Sequence, residues 1–190
     1  MSAKFLFSIG SSLVILSAAY GGSPAVAVEL LNGETAFVQQ PRLLSTTTTR
    51  DRASARNPVY QFVLTLPEGA GEPLGRVTIT PRNPRSARWR FRLERSQAYS
   101  RTPAGQSVEL LASAQQDPET AAITVEFAEP ISPGQQVIIT LHPSRNPRRG
   151  GEYLFGIEAA PAAARPQSYF VGYGRIRIYE VDNDPFIGFD

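Results

Sequence analysis

Few residues in this chain could do chemistry. His142 is the only histidine among 190 residues, cysteine is absent, and the only methionine is Met1. A Ser-His-Asp triad needs an imidazole beside an activated serine, and no Gly-x-Ser-x-Gly turn supplies that serine. His142 stands directly before Pro143 at the end of an alternating apolar run, where a surface or packing role is expected. Soft transition metals need His, Cys or Met ligands, so no transition-metal site is expected, and thiol chemistry is excluded. Asp182-Asn183-Asp184 offers oxygens for calcium but lacks the glycine and terminal glutamate of a calcium loop. Gly172-Tyr173-Gly174 has no third glycine and opens onto a β pattern, unlike a phosphate-cradling loop. No cofactor is expected. A pair of catalytic carboxylates stays open, because such pairs are set by spatial separation and not by sequence spacing.

Arginine is the abundant functional side chain. Lys4 is the only lysine, and beyond residue 27 the chain carries 18 arginines against 17 acids. Their distribution is uneven: residues 82–101 hold seven arginines with Glu94 as the sole acid, whereas residues 180–190 hold four acids and no base. Arg88, Arg90 and Arg92 alternate with Trp89, Phe91 and Leu93, which predicts a strand with a guanidinium row spaced about 7 Å on its solvent side. Arg175 and Arg177 predict a shorter row elsewhere. These five are the candidate binding residues. Planar guanidinium groups pair bidentately with carboxylate, phosphate and sulfate, so the expected partner is a protein, an acidic polysaccharide or a lipid headgroup. Near-zero net charge argues against nucleic acid. The competing role is structural, with the rows pairing across strands to acids such as Glu126 and Glu158 and discouraging edge aggregation. Tyr169, Tyr173 and Tyr179 are candidates for a sugar-stacking platform or simple strand formers.

The amino terminus places all of this outside the cytoplasm. A short cationic start is followed by about 15 largely apolar residues, a breaker at Tyr20-Gly21-Gly22-Ser23-Pro24, and small residues at Ala25 and Ala27. Residues 1–27 are therefore expected to be a cleavable signal peptide, with residues 28–180 as one domain and residues 181–190 as an acidic tail. Periplasm or cell envelope is the expected destination, with the thylakoid lumen as the other address such a signal serves.

Short apolar-polar alternations bounded by Gly, Pro and Asn run from about residue 34 onward, and no helical periodicity competes. Strands are expected over residues 60–66, 77–80, 88–93, 123–127, 137–141, 153–157 and 169–181, the last broken by Gly172 and Gly174 as at a bulge or close approach. Weaker ones are expected near residues 35–38, 43–48 and 108–112, and residues 45–56 also carry loop composition. Eight to ten such strands predict an all-β, antiparallel, immunoglobulin-like sandwich. Arg-Asn-Pro occurs at residues 56–58, 82–84 and 145–147 with unequal spacing, which turn formation by Asn-Pro explains without a repeat.

Four segments in order carry a further resemblance: residues 37–43 (FVQQPRL), 71–79 (GEPLGRVTI), Arg145-Asn146-Pro147 with 151–157 (GEYLFGI), and Gly172-Tyr173-Gly174-Arg175. Together they resemble the cyanobacterial exported proteins grouped as domain of unknown function 2808, over residues 30–180. The resemblance implies a source and a compartment, and no catalytic residues. The expected function is thus a non-catalytic binding or structural domain of the cell envelope. The alternatives are a carboxylate-dependent glycan-processing hydrolase and a thylakoid-lumen assembly factor.

Overall fold

A strand that buries one face must place apolar side chains at every second position, and the sequence does so repeatedly. In a computed structural model, which describes residues 28, 29, 33–82 and 89–180, these runs form two stacked antiparallel sheets. The expected signal segment 1–27, Arg88 and the acidic tail 181–190 lie outside the described residues. The first sheet has the order β3-β4-β10-β6-β7, formed by Arg42–Thr48, Tyr60–Thr65, Gln136–Leu141, Gln97–Arg101 and Ser107–Leu110. The second has the order β12-β11-β5-β9-β8, formed by Tyr169–Ile178, Gly151–Pro161, Leu74–Pro81, Ile123–Ile131 and Ala112–Gln116. A two-residue pair, β1 (Val28–Glu29) with β2 (Thr35–Ala36), stands apart. The expected immunoglobulin-like sandwich is what the chain forms, and residues 43–48, which carried both a weak strand pattern and loop composition, are strand in β3.

Between the sheets, Tyr60, Phe62 and Leu64 of β4 and Val137, Ile139 and Leu141 of β10 are buried together with Val77 and Ile79 of β5 and Phe155 and Ile157 of β11. Their polar neighbours, such as Gln61 and Thr78, stay partly exposed. The period-two pattern therefore fixes register, since a one-residue slip would turn the whole apolar set outward. Gly172 and Gly174 behave as their spacing suggested. The ladder of β11 and β12 slips between Ile157 and Glu158, opposite Gly172. A Cβ on Gly174 would stand 2.6 Å from the Thr46 hydroxyl oxygen and 3.1 Å from the Phe62 ring. That contact is where the edge strands β3 and β12 of the two sheets close on each other.

The expected strand at residues 88–93 does not form a ladder. Trp89 and Phe91 are buried and Arg90 is exposed, so the alternation of faces holds. However, Phe91 makes only an isolated bridge to Pro143, and residues 93–95 turn into a single 3-10 turn. The cause is chemical. Pro143 has no N–H to extend the pairing, and on the other side the Gln116 amide takes the place of a neighbouring strand. Gln116 Nε2 donates to the Trp89 carbonyl at 3.0 Å while Oε1 accepts from the Phe91 N–H at 3.4 Å. Residues 89–91 thus plug one end of the sandwich, with Trp89 stacked on Phe91 and edge-on to Tyr60, Tyr153 and Phe155.

Candidate functional site

The plugged end gathers three chain segments that are far apart in sequence. The β3–β4 loop (residues 49–59), the plug (residues 89–96) and the β10–β11 loop (residues 142–150) meet there. Backbone hydrogen bonds lace them: Ser144 N–H to the Arg90 carbonyl, Arg92 N–H to His142, Asn57 N–H to Ser144, Asn146 N–H to Ala55 and Ser54 N–H to Pro147. The end of β12 joins them, since Tyr179 N–H donates to the Asp51 carbonyl at 2.6 Å and Ala53 N–H donates to Tyr179 at 2.7 Å.

One buried side chain holds the lacing. Asn146, only 3% exposed, accepts from the Tyr60 hydroxyl at 2.8 Å and donates from Nδ2 to the carbonyls of Arg50 (2.8 Å) and Arg52 (2.9 Å). Burial, with Tyr153 nearby, pushes the Tyr60 phenol far above its ordinary pKa, so it remains a donor. Asn146 belongs to one Arg-Asn-Pro triplet, and the triplet at residues 56–58 meets it: Arg56 bridges Arg145 directly. The two triplets are turn formers that the topology brings into contact.

The consequence is a concentrated positive pole. The β3–β4 loop carries Arg50, Arg52 and Arg56 with Asp51. The plug carries Arg90, Arg92 and Arg95 with Glu94, and the β10–β11 loop carries Arg145, Arg148 and Arg149 with no acid. All of these arginines are exposed except Arg92, which is half-buried and donates from Nη1 to Asn57 Oδ1 at 2.6 Å. The ion pairs among the described residues lie elsewhere: Arg76–Glu126 (3.7 Å), Arg82–Glu158 (3.8 Å) and Arg175–Glu152 (3.7 Å). The guanidinium groups of Arg95 and Arg92 act on His142, whose pKa is lowered first by desolvation and then by those two charges. At the opposite end of the sandwich stand Glu68 and Glu72, before β5, and Glu129, near the end of β9. Arg42, Arg101 and Arg165 stand at that end as well, and Asp117 and Glu119 follow Gln116 at the plugged end, so the pole is an excess of arginine without an acidic counterpart opposite.

Of the five arginines singled out by sequence, Arg88 is outside the described residues. Arg90 and Arg92 sit in the pole. Arg175 and Arg177 point outward from β12, in line with Tyr173 and Tyr179, and Arg177 lies over the Tyr179 ring at 5.2 Å. Tyr179 bridges Arg52, so both arginine rows flank the same loop. The acids expected to neutralise them are engaged differently: Glu126 and Glu158 pair with Arg76 and Arg82, and Glu152 meets Arg175 diagonally across the β11–β12 ladder. Two shallow depressions adjoin Tyr179. One, of about 490 Å³, is lined by Gly150, Gly151, Glu152, Arg177, Tyr179 and Glu180, and the other, of about 330 Å³, by Asp51, Arg52, Tyr179 and Glu180. Their two glutamates are committed to local structure, Glu152 to Arg175 and Glu180 Oε1 to the Gly150 N–H at 2.7 Å. Among the described residues no group of three or more His, Cys, Asp or Glu side chains could hold a metal ion. Nor is any helix there long and apolar enough to cross a membrane.

Residues 34–178 match the family model described as a protein of unknown function, DUF2808. The chain belongs to that family. The DUF2808 match contains all three segments of the basic pole and ends one residue before Tyr179. No curated protein matches the sequence. Among solved structures, similarity in fold extends to the pilus 2b backbone protein of group B streptococcus, at 8% identity and a TM-score of 0.48, covering 72% of this chain and 57% of that one. The DUF2808 chain thus spans little more than half of that pilus protein. It is also similar to the collagen-binding subdomain of the Enterococcus faecalis surface protein ACE (6% identity, TM-score 0.43, 73% and 98% covered). A collagen-binding domain of a Staphylococcus aureus adhesin gives 8% identity, a TM-score of 0.39, and 72% and 97% coverage.

The pole arginines outside the plug escaped sequence reasoning. Arg50, Arg52 and Arg56 are about 90 residues from Arg145, Arg148 and Arg149, and each group alone reads as a charged turn. The available signal was the pairing of Arg-Asn-Pro with apolar strands that had to lie side by side.

Proposed function

We propose that this DUF2808 chain is exported and serves, without catalysis, as a binding domain at the cell envelope that contacts a protein or an acidic surface through its arginines. The carrying observation is the convergence of Arg90, Arg92 and Arg177 on one end of the sandwich, where three laced segments hold nine arginines against Asp51 and Glu94. Arg175 adjoins it on β12, and Arg88, outside the described residues, belongs to the same sequence row. A buried hydrogen-bond hub fixes the backbone of two loops that carry the pole, which confines most of the ordering cost of binding to the arginine side chains. A hydrolase would instead need two carboxylates facing each other across an enclosed cleft. The depressions beside Tyr179 are open, and Glu152 and Glu180 are tied to Arg175 and Gly150. Export rests on the amino-terminal signal pattern, and periplasm, envelope and thylakoid lumen are the compartments it serves.

The test is fractionation of native cells expressing the tagged full chain, beside a variant with Arg88, Arg90, Arg92, Arg175 and Arg177 all changed to Gln. The expected result is a protein that has lost residues 1–27 and is retained with the envelope, and a folded variant that is released to the soluble fraction. Retention equal to that of the unaltered chain would sink this reading of the arginines.

A further inference from the structure

Resting on that binding reading, we infer that the basic pole is a docking site for an acidic polysaccharide, with the outer row of β12 as its approach. Three arginines come from each of three laced segments, against Asp51 and Glu94. Arg56 and Arg145 are directly bridged and both exposed. Like charges in that position destabilise a β pair, and the loops cannot part to relieve it because Asn146 ties residues 50 and 52 to its own loop. An anion bound across both arginines offsets the like charges that the backbone bridge sets opposite each other.

The neighbouring side chains select the class of polyanion. Outward along β12 run Tyr173, Arg175, Arg177 and Tyr179, with Tyr173 and Tyr179 56% and 48% exposed. Alternate residues of a strand stand about 7 Å apart, so rings and cations succeed one another in a line toward the pole, with Arg175 beside Glu152 and Arg177 over the Tyr179 ring. Tyrosine faces stack on sugar rings while their hydroxyls stay wet, and guanidinium forks take carboxylate or sulfate in pairs of parallel hydrogen bonds. A membrane surface would call for large apolar side chains to insert. The exposed Val38, Leu44, Val108, Leu111 and Phe170 among the described residues all lie outside the three pole segments, Phe170 packing on Tyr173 at 4.9 Å.

The experiment uses the full chain beyond residue 27 and affinity electrophoresis in gels containing polygalacturonate, dextran sulfate or neutral dextran. Sedimentation with phosphatidylcholine vesicles, with and without phosphatidylglycerol, runs beside it. The pole variant is Arg52→Gln/Arg145→Gln/Arg149→Gln, whose exposed side chains make no hydrogen bond or ion pair among the described residues. The matched control, Arg42→Gln/Arg101→Gln/Arg165→Gln, removes the same charge from the opposite end. Retardation by the charged polysaccharides and not by neutral dextran is expected, weakened about tenfold or more in the pole variant and unchanged in the control. Replacing the same three pole residues by Lys is expected to restore only part of the binding, because the charge returns without the fork. Equal weakening in both Gln variants, absence of retardation, or binding to anionic vesicles alone overturns the inference. Should any of these occur while envelope retention still depends on the arginines, the polysaccharide is wrong and the broader binding role stands.

Discussion

Replacing Asn146 by Ala tests whether the pole is held by its buried hub. Two kinds of group lose a partner. The carbonyls of Arg50 and Arg52 belong to exposed residues and can turn to water. The Tyr60 hydroxyl cannot, since its residue is fully buried among Trp89 and Phe155. An unsatisfied buried donor costs about 1–3 kcal/mol, and the loss of the two weaker hydrogen bonds and of packing brings Asn146→Ala to roughly 3 kcal/mol. Tyr60→Phe removes the donor and leaves Asn146 Oδ1 unpaired, at about 1.5 kcal/mol. In the double variant nothing polar is stranded between the two positions. Its cost is expected near 3 kcal/mol, so the two changes are coupled by about 1.5 kcal/mol. For a domain of this size, 3 kcal/mol lowers Tm by roughly 6–12 °C.

Urea melts of the four proteins report this directly, followed by the fluorescence of Trp89, the only tryptophan, which packs edge-on to Tyr60. Additive costs in the double variant would show that the hydroxyl and the amide act independently, and the hub would be refuted. A cost below about 0.5 kcal/mol for Asn146→Ala would mean that water reaches the Tyr60 hydroxyl. Asn146→Ala is also expected to weaken polyanion binding beyond what its surface charge explains, because no charge is removed and only the spacing of the arginines is loosened.

Other expectations follow from single contacts. Gly174→Ala forces a Cβ against Thr46 and Phe62 and is expected to cost about 1–3 kcal/mol, with Thr46→Ala recovering part of it in a thermal melt. The Thr46 hydroxyl is buried without a partner, so Thr46→Val is expected to be neutral or stabilising by calorimetry. Arg145→Gln removes the like-charge contact with Arg56 and is expected to raise stability by roughly 0.2–1 kcal/mol while weakening polyanion binding. His142, as the sole histidine, gives one imidazole resonance by NMR, whose midpoint is expected below the usual value near 6.5 and higher in Arg95→Gln. Because the folded pKa is depressed, the unfolded chain takes up the proton first. Stability therefore falls as pH drops below the ordinary histidine range, and His142→Gln is expected to flatten that slope.

The sandwich was legible wherever a strand buries one face, as in β4, β5, β9 and β10, because period two is then imposed by the core itself. It was faint where the inward residues are small. β6 turns Ala98 and Ser100 inward, and β8 is Ala-Ser-Ala-Gln-Gln, so neither leaves an apolar alternation to read. At residues 89–92 the pattern correctly separated buried from exposed side chains but could not reveal that the neighbour is a proline on one side and a glutamine side chain on the other. Alternation reports which face is wet, and backbone pairing is decided by what topology brings alongside. The candidate site obeys the same division. The arginine rows were visible as rows, while the pole required β3, β4, β10 and β11 to place two Arg-Asn-Pro turns against each other. A structural role alone would favour an acid opposite one of those arginines, as Glu126 stands against Arg76. The fold instead sets two like-charged residues opposite each other beside a buried asparagine, and that pairing, more than the number of arginines, argues for an anion from outside the chain.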